Sequence, residues 1–221
     1  MSRDDVEINN STISKNIPIE NNIDHIFYIN LEKRLDRKIH IEKQLQYFNL
    51  NPISERYEAI CTPHSGIIGC SFSHLNVLKL ARERGYKNVL ILEDDFEFIV
   101  SKQEFEYAIA EFFNSNISYD VLMISYIIQK SEEVPKFPFI KKIIDGQTAA
   151  GYIVSCDYYD TLIQLYEETT ILLEKTNAHW LYANDICWKK LQPDGNWYFT
   201  TNPLGKQRAD YSDNKMCFVN Y

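Results

Sequence analysis

Asn88-Val-Leu-Ile-Leu-Glu93-Asp94-Asp95-Phe96-Glu97-Phe98 is the stretch that decides the fold. Val89 to Leu92 form a short, partly β-branched apolar run, the signature of a strand covered on both faces, as in a parallel sheet with a helix layer on each side. The run stops in three consecutive carboxylates. A buried carboxylate without a partner is costly, so Glu93, Asp94 and Asp95 belong at the strand's end, beside water or a cation. In open α/β sheets ligands bind at the carboxyl ends of strands. Hard divalent cations take oxygen ligands, commonly one or two carboxylates plus substrate phosphates. The segment therefore reads as a metal-and-phosphate site, with Asp95 the direct ligand and Glu93 or Asp94 in support. Alternate residues of an extended chain share a face, which pairs Glu93 with Asp95. A solvated acidic turn is the plainer alternative.

Outward from this strand, hydrophobic period and punctuation predict alternating strands and helices. Ile26 to Ile29 read as a first strand, followed by the charged loop Asn30-Leu-Glu-Lys-Arg34-Leu-Asp-Arg37 and a helix to about Phe48, stopped by Asn51-Pro52. Arg56 to Ile60 form a short strand. Gly66 and Gly69 precede a second helix with Ser71 as its N-cap and Phe72, Leu75, Leu78 and Ala81 as its stripe, and Gly85 takes the C-terminal cap. A helix over 103–114, a strand over 120–125, a basic Pro-bearing loop over 129–147, a strand over 152–155 and a helix over 157–175 follow. A short helix over 184–191 and a strand over 197–200 close the regular structure, and Asn202-Pro203 begins a polar tail. The pattern is α/β with a mainly parallel sheet flanked by helices.

The 221 residues fit one domain, expected over 23–221 behind a flexible arm over 1–22, and the 45% hydrophobic content fills a core. No segment offers the ~20 apolar residues of a bilayer span, and the first residues lack a signal peptide's apolar region. Five dispersed cysteines without CxxC spacing argue for reduced thiols, so a cytoplasmic, soluble protein is expected. The formal charge of −8 argues against nucleic acid or an anionic membrane as the main partner.

No glycine-rich phosphate loop is present, so phosphates must be met by a metal and by basic side chains. Arg34 and Arg37, just past the first strand, are placed to reach a nucleotide or to sit exposed on a helix's first turn. His74 is either catalytic or a core histidine. Asp185, set among aromatics in Trp180-Leu-Tyr-Ala-Asn-Asp185-Ile-Cys-Trp188, is a cap or a base whose pKa apolar surroundings raise. Trp180, Tyr182 and Trp188 are candidates to stack on a sugar ring, and also to pack. The same aromatic helices can form core or a homodimer surface.

Phe27-Tyr-Ile-Asn-Leu-Glu-Lys-Arg-Leu-Asp-Arg-Lys38, Gly66-Ile-Ile-Gly-Cys-Ser-Phe-Ser-His74 and Gly85-Tyr-Lys-Asn-Val-Leu-Ile-Leu-Glu-Asp-Asp-Phe-Glu-Phe98 occur in that order. Gly146-Gln-Thr-Ala-Ala-Gly-Tyr-Ile-Val-Ser155, Asp185, Asn202-Pro-Leu-Gly-Lys-Gln207 and Ser212-Asp213 follow. Over about residues 24–214 these blocks resemble glycosyltransferase family 25, which includes lipooligosaccharide galactosyltransferases and collagen hydroxylysine glycosyltransferases. The resemblance implies a GT-A-like (Rossmann-like) single domain, a UDP-sugar donor and Mn²⁺, with Mg²⁺ the alternative ion. It places Asn30, Leu31, Arg34 and Arg37 on uridine and ribose, and Glu93, Asp94 and Asp95 in the metal motif. Gln147 and Thr148 then line the donor-sugar pocket, Asp185 is the base with His74 the second catalytic candidate, and Gln207 joins Trp180 and Tyr182 on the acceptor side. Glu32 and Leu35 stand where the family more often has Asp and Pro. No histidine follows His179, so acids, phosphates and water must complete the metal sphere. The implied reaction is inverting transfer of galactose or glucose to hydroxylysine or galactosyl-hydroxylysine on a collagen-like polypeptide. A lipooligosaccharide or other glycan acceptor is the alternative, and an inactive nucleotide-sugar or partner-binding module is the alternative of another class.

Overall fold

The computed structural model describes residues 19–63, 65–212 and 217–219, and the expected arm over 1–22 lies outside the described residues except for its last four. Those four include a 3-10 turn, Ile19–Asn21, and the buried Ile19 joins the core. The strands are β1 (His25–Asn30), β2 (Ser54–Glu58), β3 (Asn88–Glu93), β4 (Phe96–Phe98), β5 (Val121–Met123), β6 (Ile127–Glu133), β7 (Ile140–Gln147), β8 (Gly151–Ser155), β9 (Trp197–Thr200), β10 (Gly205–Gln207), β11 (Asp210–Ser212) and β12 (Cys217–Val219). The helices are α1 (Leu35–Tyr47), α2 (Gly66–Glu83), α3 (Lys102–Asn114), α4 (Tyr159–Thr176), α5 (His179–Tyr182) and α6 (Asn184–Cys187).

One eight-stranded sheet runs β2-β1-β3-β8-β5-β9-β7-β6 between two helix layers. On one face α2 and α4 pack Leu75, Leu78, Leu162 and Tyr166 against Val89 and Ile91 of β3. On the other, α1 and α3 pack Ile41, Leu45, Phe105 and Ile109 against Leu90 and Leu92. Every residue of the apolar run is therefore core, which is why it lacks the alternation of a half-exposed strand. The α/β single-domain class stands, but the sheet is mixed rather than mainly parallel. Within it, β1–β2, β1–β3 and β5–β9 pair parallel. The pairs β3–β8, β5–β8, β6–β7 and β7–β9 are antiparallel.

Several local expectations are corrected. The segment read as a basic loop over 129–147 is the β6–β7 hairpin, whose β7 continues the sheet beyond β9. β6 is an edge strand, half or fully exposed along its length, so it carries no apolar run to read. Helix α1 ends at Tyr47 with Phe48 as C-cap, as expected, but the break is made by Asn49 in a left-handed conformation, with φ of 58°, ahead of Asn51-Pro52. The polar tail contains β10, which pairs with β4.

Helix α2 begins at Gly66, so Ser71 is no N-cap but a buried residue inside the helix. The start is set by packing. A Cβ on Gly69 would lie 2.1 Å from the backbone oxygen of Ile60, so only glycine lets α2 lie against the segment leaving β2. Ser73 ties the same segment, accepting from the Ile60 amide at 2.8 Å and donating to the Gly69 carbonyl at 2.7 Å. Because backbone must move to admit the methyl, Gly69→Ala is expected to destabilise by about 3 kcal/mol, a fall in Tm of roughly 6–12 °C by calorimetry. A fall under ~2 °C would mean that this close approach is not a constraint.

Candidate active site

The three acids sit where β3 ends and turn into β4. The turn is held from two distant parts of the chain. Gln44 of α1 clamps β4, its Nε2 donating to the Phe96 carbonyl at 2.9 Å and its Oε1 accepting from the Phe98 amide at 2.7 Å. From the other side β10 pairs with β4, and the Arg208 amide donates to the Asp95 carbonyl at 2.7 Å. Phe96 is wedged beneath Gly151 and Gly205, where an added Cβ would fall 2.6 Å and 2.1 Å from its ring. The strand-to-strand turn thus cannot swing, and its carboxylates are aimed by the backbone.

Asp94 and Asp95 are both buried. Asn30, at the tip of β1, donates from Nδ2 to Asp94 Oδ2 at 2.7 Å and to the Arg34 carbonyl at 3.1 Å. Arg56 holds Asn30 in turn, Nε donating to Oδ1 at 3.0 Å. Arg37 Nη1 bridges the acids, 3.0 Å from Asp94 Oδ1 and 2.8 Å from Asp95 Oδ2. Gln207 Nε2 donates to that same Asp95 Oδ2 at 3.1 Å. Asp95 Oδ1, by contrast, is buried with no hydrogen-bond partner among the described residues. Burial, with the neighbouring charge of Glu93, raises the Asp95 pKa to about 7. A buried, unsatisfied oxygen on an acid this reluctant to ionise is the environment a divalent cation relieves, so these residues fit an oxygen-ligated metal.

Glu93 points elsewhere. Its Oε1 lies 3.2 Å from His74 Nε2 and accepts from Cys70 Sγ at 3.6 Å. Burial pushes its pKa up, but the His74 hydrogen bond and charge outweigh this and hold it below the ordinary carboxylate value. Asp185, at the N-terminal end of the short α6, is mostly buried, and burial followed by the charge of Glu93 raises its pKa. It accepts from the Thr148 amide at 3.3 Å. Thr148 has φ of 91°, a left-sided conformation that a β-branched residue adopts only under constraint. The constraint is Gln192, fully buried, whose Oε1 accepts from the Gly146 amide at 2.8 Å while its Nε2 donates to the Gly146 carbonyl at 2.9 Å. That clamp directs the end of β7 so that the Thr148 amide just beyond it meets Asp185.

Beside the acids, a cleft of about 440 Å³ opens between residues 31–33, after β1, and residues 58–61, after β2. Its size is that of a small-molecule pocket. β1 lies between β2 and β3, so the cleft and the acids are one strand apart, joined by Asn30, whose carbonyl accepts from the Ala59 amide at 3.0 Å.

No protein-family model matches the chain, and no curated protein sequence matches it. Solved structures do. A glycosyltransferase involved in the glycosylation of the major capsid of PBCV-1 aligns with a TM-score of 0.53 at 12% identity, over 87% of this chain and 95% of that one. The mannose-1-phosphate geranyltransferase from Thermus thermophilus aligns with a TM-score of 0.50 at 9% identity, over 83% of this chain and 73% of that one. The fold is GT-A-like. At these identities the likeness is one of fold.

On this GT-A-like frame the structure brings together Asn30, Arg37, Asp94, Asp95 and Gln207 in one network, and Thr148 with Asp185 in another. Leu31 lines the cleft. Arg34 lies 2.9 Å from Asp36, and Arg37 bridges Asp94 and Asp95. His74 is fully buried, its ring nitrogens facing the Tyr152 hydroxyl at 2.8 Å and Glu93, and so holds Glu93 instead of facing substrate. Trp180 is exposed and Tyr182 half-buried on α5, while Gln147 is half-buried at the end of β7. Trp188 is no sugar platform: it is core, edge-on to Tyr152 and Trp197. Sequence reasoning missed Arg56, Cys70, Tyr152, Gln192 and the cleft wall at 58–61. The last had a usable signal, since it follows a strand adjacent and parallel to β1.

Among the described residues no helix is long and apolar enough to cross a membrane.

Proposed function

We propose that this protein is a metal-dependent glycosyltransferase that moves a hexose from a nucleoside-diphosphate donor to an acceptor hydroxyl. The observation that carries this reading is the buried, half-satisfied Asp95 at the carboxyl end of β3, one strand from a nucleotide-sized cleft. The resemblance to glycosyltransferase family 25 supplies the finer reading: UDP-galactose or UDP-glucose as donor, Mn²⁺ or Mg²⁺ as ion, and hydroxylysine or galactosyl-hydroxylysine as acceptor.

Asp95, with Asp94 rather than the turned-away Glu93 in support, would hold the ion, which when bound would offset the charge on a departing diphosphate. Residues 31–33 and 58–61 receive the nucleoside, and Asn30 couples that cleft to Asp94. Arg37 sets one positive charge against the paired carboxylates of Asp94 and Asp95. Asp185 takes the acceptor's proton: its raised pKa makes it a better base than an exposed carboxylate, and the Thr148 amide fixes the orientation of the receiving group. Holding donor and acceptor in register supplies several kcal/mol more of the barrier.

The cleft assignment has a direct chemical test. Cys61 lines the cleft and is exposed, while Cys156, also exposed, follows β8 at the opposite end of β3. UDP with Mn²⁺ is expected to slow alkylation of Cys61 at least about tenfold by mass spectrometry of the peptides, leaving Cys156 unchanged. Equal rates at Cys61 with and without nucleotide would place the donor elsewhere. Activity is tested by UDP release from UDP-galactose and UDP-glucose, with a hydroxylysine-bearing collagen-like peptide in one arm and a lipooligosaccharide-type glycan in the other. Protection of Cys61 without turnover of either donor on either acceptor would favour a binding module over an enzyme.

A further inference from the structure

Cys70 and His74 lie four residues apart on α2 and so present their side chains on one face of the helix. That face meets the carboxylate of Glu93 at the end of β3. Cys70 Sγ is 3.6 Å from Glu93 Oε1, His74 Nε2 is 3.2 Å from it, and all three atoms lie within 4.8 Å of one another. Around a tetrahedral Zn²⁺, with its ordinary bond lengths to sulfur, nitrogen and carboxylate oxygen, the ligand atoms stand roughly 3.5 Å apart for S and O and roughly 3.3 Å for N and O. The two separations seen here match that geometry.

The surroundings match as well. Ligating histidines usually have the far ring nitrogen hydrogen-bonded, which fixes the tautomer. Here His74 Nδ1 lies 2.8 Å from the Tyr152 hydroxyl, with the two rings stacked. The His74 side chain is fully covered, whereas that of Glu93 is 22% exposed and Cys70 is half-buried, leaving a route from solvent. Burial and the neighbouring carboxylates of Glu93 and Asp185 push the Cys70 thiol up, so it stays neutral until a cation displaces its proton. We propose that Cys70, His74 and Glu93 form a second cation site, selective for thiophilic divalent ions of the Zn²⁺ class and distinct from the all-oxygen site at Asp95. Three protein ligands leave a fourth position open to water or another donor. The site needs only these three side chains and does not rest on the transferase reading.

Cobalt reports it directly. Reduced wild-type protein titrated with Co²⁺ is expected to develop a near-ultraviolet thiolate-to-cobalt charge-transfer band saturating at one equivalent. Zn²⁺ is expected to abolish the band stoichiometrically, and equimolar Mn²⁺ to leave it. Cys70→Ser is expected to lose the band and His74→Ala to weaken Zn²⁺ binding at least about a hundredfold, with Tyr152→Phe costing about tenfold. No charge-transfer band in the wild-type protein, or an equal band in the Cys70→Ser protein, would overturn the assignment and leave the three residues as a hydrogen-bonded support for Glu93.

Discussion

The Asp95→Asn protein is expected to fold and to lose transfer activity by about a thousandfold, the several kcal/mol that a positioned ion supplies to a departing diphosphate. Asn is nearly isosteric, and Arg37 keeps its contact with Asp94, so the turn between β3 and β4 retains its restraints from Gln44 and β10. The substitution also changes how stability depends on pH. With the Asp95 pKa at about 7 in the folded protein, against ~3.9 in the unfolded chain, the native state binds the extra proton between those values. Stability then falls as pH rises through that window, and the cost of the buried charge is fully present above about pH 7. Asn carries no such cost. In calorimetry without metal, the Tm of Asp95→Asn relative to wild type should therefore climb from about pH 5 to about pH 7.5. A variant with near-wild-type turnover, or a relative Tm indifferent to pH, would remove Asp95 from the role given to it.

Asp185→Asn is expected to lower kcat by about 10²- to 10⁴-fold, the range for removing a general base, while the affinity for UDP and Mn²⁺ stays close to wild type. The wild-type enzyme should lose activity as pH falls through the raised pKa of Asp185, because the base must be deprotonated to accept the acceptor's proton. In the Asn variant the remaining activity should lack that acid limb when measured at saturating metal. A loss expressed in donor KM with kcat unchanged would make Asp185 a binding residue. Retention of activity within about tenfold would point to Glu93, whose carboxylate stays ionised beside His74, as the base.

What is legible in the sequence is whatever the chain has to state locally. The run Val89 to Leu92 can only be a doubly covered strand, and acids ending such a run conflict with burial unless something meets them. Arg37 reads as a nucleotide-binding residue because an arginine after a first strand looks the same whether it faces a nucleotide or a carboxylate across the fold. Ser71 looks like a cap because serine at a helix start usually is one, but α2 already begins at Gly66, and its Gly69 packs against Ile60, a contact with another segment. The β6–β7 hairpin escapes the pattern because an edge strand of exposed charged residues carries no apolar period. β10 has three residues and exists only by pairing with β4. The left-sided Thr148 needs Gln192, far along the chain, to hold the neighbouring Gly146.

The contact between Gln207 and Asp95 spans 112 residues. During synthesis, at roughly 5–20 residues per second, β3 leaves the ribosome well before the segment that completes its acidic turn. In that interval Val89 to Leu92 is an uncovered, strongly β-forming strand, the kind of segment that pairs with other chains. Glu93, Asp94 and Asp95 stand directly at its end, where charge discourages such pairing, as gatekeeper residues do. The acids that gather Asn30, Arg37 and Gln207 in the finished protein also keep the unfinished one apart from its neighbours.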